Sequence, residues 1–292
     1  TLPMDEPGLK RIHDHLKNLV GERNPFTQPE HLEKTAQYIS TQFERMGLQV
    51  TREAIDYENT RSHNILGQMP EGSQENGLFI LAAHYDSVPD SPGADDNASA
   101  VAALLEIGHA LSQTTLHTPL LFSAFTLEEY GFIGSKYFIQ HDLQRKKQIS
   151  GMISLEMLGF KNTSPGSQTY PPYVDPLQYP DTGDFIAVVG NEPSAHLAQA
   201  LAEGMAHSVP DLAVETLVVP GQGEGFPEVR LSDHSPFWDA GIPAVMVTDT
   251  AFFRNPHYHK PSDTLETLDL QFILDNAKAV AGFLKQFLNP AS

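Results

Sequence analysis

Residues 77–126 read GLFILAAHYDSVPDSPGADDNASAVAALLEIGHALSQTTLHTPLLFSAFT. A continuous apolar run over 77–86 ends on His84-Tyr85-Asp86, a polar loop follows, 98–111 has helical character, and 120–126 is a second short apolar run. Strands that meet no water on either face carry such uninterrupted runs, and alternating them with helices builds a mostly parallel sheet covered by helices.

The alternation extends outward in both directions. Residues 9–20 and 31–46 place apolar residues at helical spacing among charges, and 134–141 reads as a helix before a strand at 152–157. Further strands are predicted at 184–189, 214–220 and 243–248, with helices at 193–206 and 270–288. Between them, 161–183 is rich in Pro, Gly, Ser and Tyr and reads as a long loop that shapes access to a pocket. No repeat, low-complexity tract or linker divides the chain, so residues 1–292 are expected to form one α/β domain. Ligands of open sheets gather at the carboxyl ends of strands.

Composition narrows the function classes. Lys plus Arg total 18 against 37 acids, a formal net charge of -19, which lacks the basic footprint that a nucleic-acid partner demands. There is no cysteine, which excludes disulfides, thiolate catalysis and thiolate-bound zinc. No apolar run approaches the roughly 20 residues that span a bilayer, so no membrane partner is expected. The first thirty positions lack the apolar core of a signal peptide, and a cytoplasmic location is the expectation, with a periplasmic or secreted one if a leader was removed. The sequence leaves the oligomeric state open, a monomer being compatible with it.

Five clusters carry the chemistry. His84 and Asp86 end a strand two residues apart, so Asp86 can hydrogen-bond the far nitrogen of His84 and fix its tautomer for a metal. In Gly93-Ala94-Asp95-Asp96-Asn97, Asp96 or Asn97 can cap the following helix, while Asp95 can share its two oxygens between cations. Glu128-Glu129 places adjacent carboxylates after a strand; a cation relieves their repulsion and lets one ligate while the other acts as general base. Glu156 ends the apolar strand Ile153-Ser154-Leu155-Glu156, where an ionised group is costly unless paired or bound to metal. In Asn255-Pro256-His257-Tyr258-His259, the terminal ligand is His259, with His257 competing. Two imidazoles with three carboxylates suit a pair of divalent ions such as zinc.

Together, His84-Tyr85-Asp86, Gly93-Ala94-Asp95-Asp96-Asn97, Glu128-Glu129 with Gly131 and Gly134-Ser135, and Tyr258-His259 with Asp263-Thr264 resemble the signature of metallopeptidase family 28 over roughly residues 60 to 265. That resemblance implies a three-layer fold with a mixed, mostly parallel sheet of about eight strands between helices. It implies two zinc ions, one held by His84, Asp95 and Glu156 and the other by Asp95, Glu129 and His259, with a cis peptide between Asp95 and Asp96. Glu128 is then the general base and Asp86 orients His84. Asp233, in Asp233-His234-Ser235-Pro236-Phe237, and Tyr258 are the implied substrate-binding residues, with Phe252 and Phe253 either a pocket wall or core. Many family members carry Asp where this chain has Glu156, a side chain one methylene longer. The implied activity is aminopeptidase action on peptides. Glutaminyl cyclisation with one zinc, dipeptidase or carboxypeptidase action, and a metal-containing binding module are the competing readings.

Overall fold

The computed structural model describes residues 6–70 and 74–289, so both ends of the expected 1–292 unit lie outside the described residues. Its strands are β1 (Gln49–Tyr57), β2 (Thr60–Gln68), β3 (Leu78–His84), β4 (Leu120–Phe125), β5 (Ile149–Glu156), β6 (Ile186–Asn191), β7 (Val214–Val219) and β8 (Ala244–Thr248). The α-helices are α1 (Glu6–Leu19), α2 (Pro29–Arg45), α3 (Ala100–Leu111), α4 (Ile133–His141), α5 (Leu143–Gln148), α6 (Ala195–Ser208), α7 (His234–Asp239) and α8 (Leu270–Phe287). All eight strands form one sheet in the order β1-β2-β4-β3-β5-β8-β6-β7. Strands β4, β3, β5 and β8 run parallel through its centre. The hairpin β1–β2 joins antiparallel at one edge, and the parallel pair β6–β7 joins antiparallel to β8 at the other.

The two-residue period of a strand sorts its side chains between two cores. From β3, Phe79, Leu81 and Ala83 pack with residues of α1, α2, α3, α6 and α8. Leu78, Ile80 and Ala82 instead pack with Phe138 of α4 and with Phe237 and Trp238 of α7. The result is helices on both faces of the sheet, the three-layer arrangement expected. α8 shows why its sequence is a helix: Asp269 caps it by accepting from Phe272 N at 3.0 Å, and Phe272, Ile273, Val280 and Leu284 are buried along it. Each such side chain contributes about 1.5–3 kcal/mol, and the cap about 1 kcal/mol.

The hairpin β1–β2 was absent from the expected elements, and its burial pattern explains why. β1 alternates exposed and buried positions and carries Arg52, Glu53 and Asp56, so no apolar run marks it. Glu53 is held by Arg145 at 2.7 Å.

The same period places the functional side chains. His84, Glu156 and Thr248 end β3, β5 and β8 in phase with Ala82, Met152 and Met246, on the face covered by α4 and α7.

Candidate metal centre

Two imidazoles anchor the cluster. His84 is fully buried; its Nδ1 lies 3.2 Å from Asp86 Oδ1, and its Nε2 lies 3.3 Å from Glu156 Oε1, 3.3 Å from Asp96 Oδ1 and 3.4 Å from Glu128 Oε2. His259 Nε2 lies 2.9 Å from Asp96 Oδ2 and 3.3 Å from Glu129 Oε2. Asp96 therefore spans the two histidines, one oxygen toward each.

This geometry corrects the expectation for Asp95. Its Oδ1 accepts from Gly159 N at 2.9 Å and Ser99 Oγ at 3.0 Å, and its Oδ2 accepts from Asn255 Nδ2 at 2.8 Å, so the carboxylate is committed beneath the cluster. Asp96 takes the spanning position because the backbone departs from helix there (φ -104, ψ 85). The cis peptide likewise joins Asp96 to Asn97, not Asp95 to Asp96. Adjacent aspartates in a non-helical turn point in different directions, and residue spacing cannot tell which one faces inward.

The surrounding residues that hold these groups in place were mostly unmarked in the sequence. Asp263 accepts from Asp95 N at 2.8 Å and Asp96 N at 3.1 Å, fixing the turn that carries Asp96. Asn97 donates to His84 O and Leu155 O, both at 3.2 Å, and accepts from Met157 N, which ties the ends of β3 and β5 together. Asp86 bonds His84 as expected and also accepts from Glu128 N at 3.1 Å and Glu129 N at 3.2 Å, so one carboxylate orients both clusters. Glu156 reaches His84 with Oε1 while its Oε2 accepts from Ser232 Oγ, which accommodates the extra methylene. His257 stays outside the cluster, with its Nδ1 2.9 Å from Ser262 Oγ.

Asp233 does not reach the pocket as a substrate-binding residue. It is buried behind the cluster, accepts from Ser135 Oγ at 2.7 Å, and burial pushes its carboxyl up to about 7. Tyr258 does line the cavity, with its ring stacked on His259 at 3.8 Å between centroids. Phe252 and Phe253 also lie on that wall, Phe252 being 41% exposed, so neither is simple core. Loop residues Thr169, Tyr170, Pro171, Val174 and Tyr179 complete it, the role expected of 161–183.

The charges of the cluster are unbalanced. Burial pushes Glu128 and Glu129 well above the ordinary carboxylate range, Glu129 further through Asp96, and it raises Glu156 as well. Burial opposes ionisation of Asp96 too, yet hydrogen bonds from His259 and His84 hold its carboxyl well below normal. Burial disfavours the charged form of His259, but Asp96 and Glu129 carry it up to about 10. Such crowding of carboxylates is relieved either by protons or by cations. Glu129 Oε1 is buried with no hydrogen-bond partner and Asp96 Oδ1 has only the 3.3 Å approach of His84 Nε2, the atoms a cation would satisfy. Ligand atoms of His84, Glu128 and Glu156, and of His84, Asp96 and Glu129, lie within 4.8 Å of one another in each set. Mixed imidazole and carboxylate donors at this spacing fit a borderline divalent metal such as zinc.

Comparison with known proteins gives the family and the fold. The chain is 36% identical over 252 residues to the uncharacterized protein YfbL of Escherichia coli, covering 83% of this chain and 76% of that one. It is 27% identical to the aminopeptidase YwaD of Bacillus subtilis, covering 72% of this chain but only 41% of the relative. Its fold matches BSAP, a zinc aminopeptidase from Bacillus subtilis, with a TM-score of 0.77 over 97% of this chain and 95% of that chain at 16% identity. The model of peptidase family M28 matches residues 64–284, the span that holds every member of the cluster. The chain belongs to peptidase family M28.

Proposed function

We propose that this peptidase-family member is a zinc-dependent aminopeptidase that removes the N-terminal residue of peptides. The observation that carries the reading is the lining of the cavity beside the cluster: among the described residues it contains Asp96, Glu128, Glu129 and Glu156 and no Lys, Arg or His. An N-terminal ammonium finds carboxylates there, whereas a C-terminal carboxylate finds no cationic side chain to receive it. Residues of loop 161–183 wall the cavity on one side.

In this reading His84, Asp96 and Glu156 would hold one zinc ion and Asp96, Glu129 and His259 the other. When bound, zinc supplies Lewis acidity, polarising the scissile carbonyl and lowering the pKa of water at the site. Glu128 is left as the base in this reading, with Oε2 3.4 Å from His84 Nε2 and on the cavity wall. Its carboxylate takes the proton of the attacking water at Oε2 and returns it to the leaving amine nitrogen. Asp86 holds the His84 ring through Nδ1 and positions the Glu128 and Glu129 backbone, so it keeps base and ligands in register.

The test pairs a variant with blocked substrates. Zinc-loaded Glu128→Gln should lose about 10²–10⁴-fold in kcat against aminoacyl anilides. Acetylation of the substrate's amino group should abolish turnover by the unaltered protein. Undiminished Glu128→Gln turnover removes the base, and release of C-terminal residues from acetylated peptides, or pyroglutamate formation in place of hydrolysis, replaces the aminopeptidase reading.

A further inference from the structure

The cavity continues well past the metal cluster. Glu156, Thr248, Ala187 and Glu215 form one register row across β5, β8, β6 and β7. Residues paired in register share a face, and neighbouring strands lie about 4.8 Å apart, which puts the Glu215 backbone about 14 Å from that of Glu156. The floor between them is apolar, with Ala187, Val189, Met246, Phe185 and Leu217 lining it. Glu215 lies at the far end of this row on the edge strand, partly buried, and among the described residues no cationic side chain lines the cavity to pair with it. Burial raises its carboxyl. Glu228 adds a second acid to the same wall, beside the Tyr173 hydroxyl.

We infer that the cavity selects a cleaved residue with a long cationic side chain, Arg or Lys, whose methylene stem lies on the apolar floor and whose head meets Glu215. The inference takes its substrate orientation from the aminopeptidase reading but rests on a different part of the cavity. A neutral side chain entering this space takes water from Glu215 and returns no charge or hydrogen bond, a cost that a guanidinium or ammonium removes. The stems of Lys and Arg cover apolar surface while their heads seek polar partners, matching a wall that is apolar along its length and acidic at its end.

The discriminating substrates are arginine and citrulline anilides, which share shape and differ in charge, with lysine and norleucine as a second pair. The zinc-loaded protein should favour the cationic member of each pair by about 10- to 100-fold in kcat/KM, the size of a charge-assisted hydrogen bond. In Glu215→Gln that ratio should fall to within about threefold, and Glu215→Asp should keep part of it. Calorimetric binding of free L-arginine and L-citrulline gives a readout independent of turnover and should show the same preference. If no anilide is hydrolysed yet L-arginine binds at least tenfold tighter than L-citrulline, the inference stands and the aminopeptidase reading fails. Equal treatment of arginine and citrulline by the unaltered protein overturns the inference, and a ratio that survives Glu215→Gln overturns the assignment to Glu215.

Discussion

Arg23→Met should unfold this protein several degrees early and loosen the turn that presents Asp96. Arg23 is 1% exposed. Its guanidinium donates to five backbone carbonyls: Tyr85 O at 2.7 Å, Leu19 O at 2.8 Å, Gly21 O at 2.6 Å, Pro92 O at 2.9 Å and Gly93 O at 2.9 Å. One side chain thus joins the end of α1, the segment after β3 and the turn before Asp95-Asp96. Burial pushes its pKa down to about 10, and the nearby charges of Asp263, Asp86, Asp96 and Glu129 oppose the fall. Methionine fills similar space but strands the carbonyls, and buried acceptors left unpaired cost about 1–3 kcal/mol each, so a loss of about 4 kcal/mol is expected where several are stranded together. At about 2.1 cal/mol/K per residue, the unfolding entropy of 292 residues is about 0.6 kcal/mol/K, so about 4 kcal/mol lowers Tm by about 7 °C. Circular dichroism on heating reads the shift, and zinc titration of the same variant reads the loosened turn as weaker binding. A Tm within about 2 °C of the unaltered protein, with zinc binding unchanged, refutes the reasoning.

Three further outcomes are expected. Chelation should lower Tm, because the four carboxylates Asp96, Glu128, Glu129 and Glu156 lose their counter-charge; zinc at a thousandfold its Kd stabilises by about 4 kcal/mol, and a Tm indifferent to chelator and zinc argues against a metal centre. Gly134→Ala places a Cβ 2.2 Å from Thr126 O and 2.6 Å from Asn64 Oδ1; a loss of about 2–3 kcal/mol is expected from urea unfolding, and a loss below about 0.5 kcal/mol contradicts the close packing. Burial pushes His15 down to about 4, so the folded state binds fewer protons there than the unfolded state. Its contribution is complete above the unfolded value near 6.5 and is lost as pH falls toward 4, at most about 3 kcal/mol. His15→Gln should flatten the stability profile between pH 7 and 4.5, and an unchanged slope assigns the acid sensitivity elsewhere.

The central sheet was legible because β3, β4, β5, β6 and β8 are buried on both faces and therefore carry unbroken apolar runs. The hairpin β1–β2 was not, since one face of β1 meets water and its charged positions erase the run. Among site residues, His84, Asp86, Glu128, Glu129, Glu156 and His259 stand together as their positions at strand ends and in the following loops suggested. Arg23 and Ser232 carried no signal, and Asn97 only that of a possible helix cap, because their roles are hydrogen bonds to segments far away in the chain.

What the sequence determined by itself is the kind of protein: a helix-covered sheet with imidazoles and carboxylates at its strand ends, since burial imposes apolar runs and metal chemistry demands those residue types. Only the tertiary structure decided that Asp96 faces the histidines while Asp95 bonds beneath them, and that Glu215 shares a row with Glu156. Those facts depend on backbone direction and strand register, which arise from contacts between segments distant in the chain and leave no trace in local spacing.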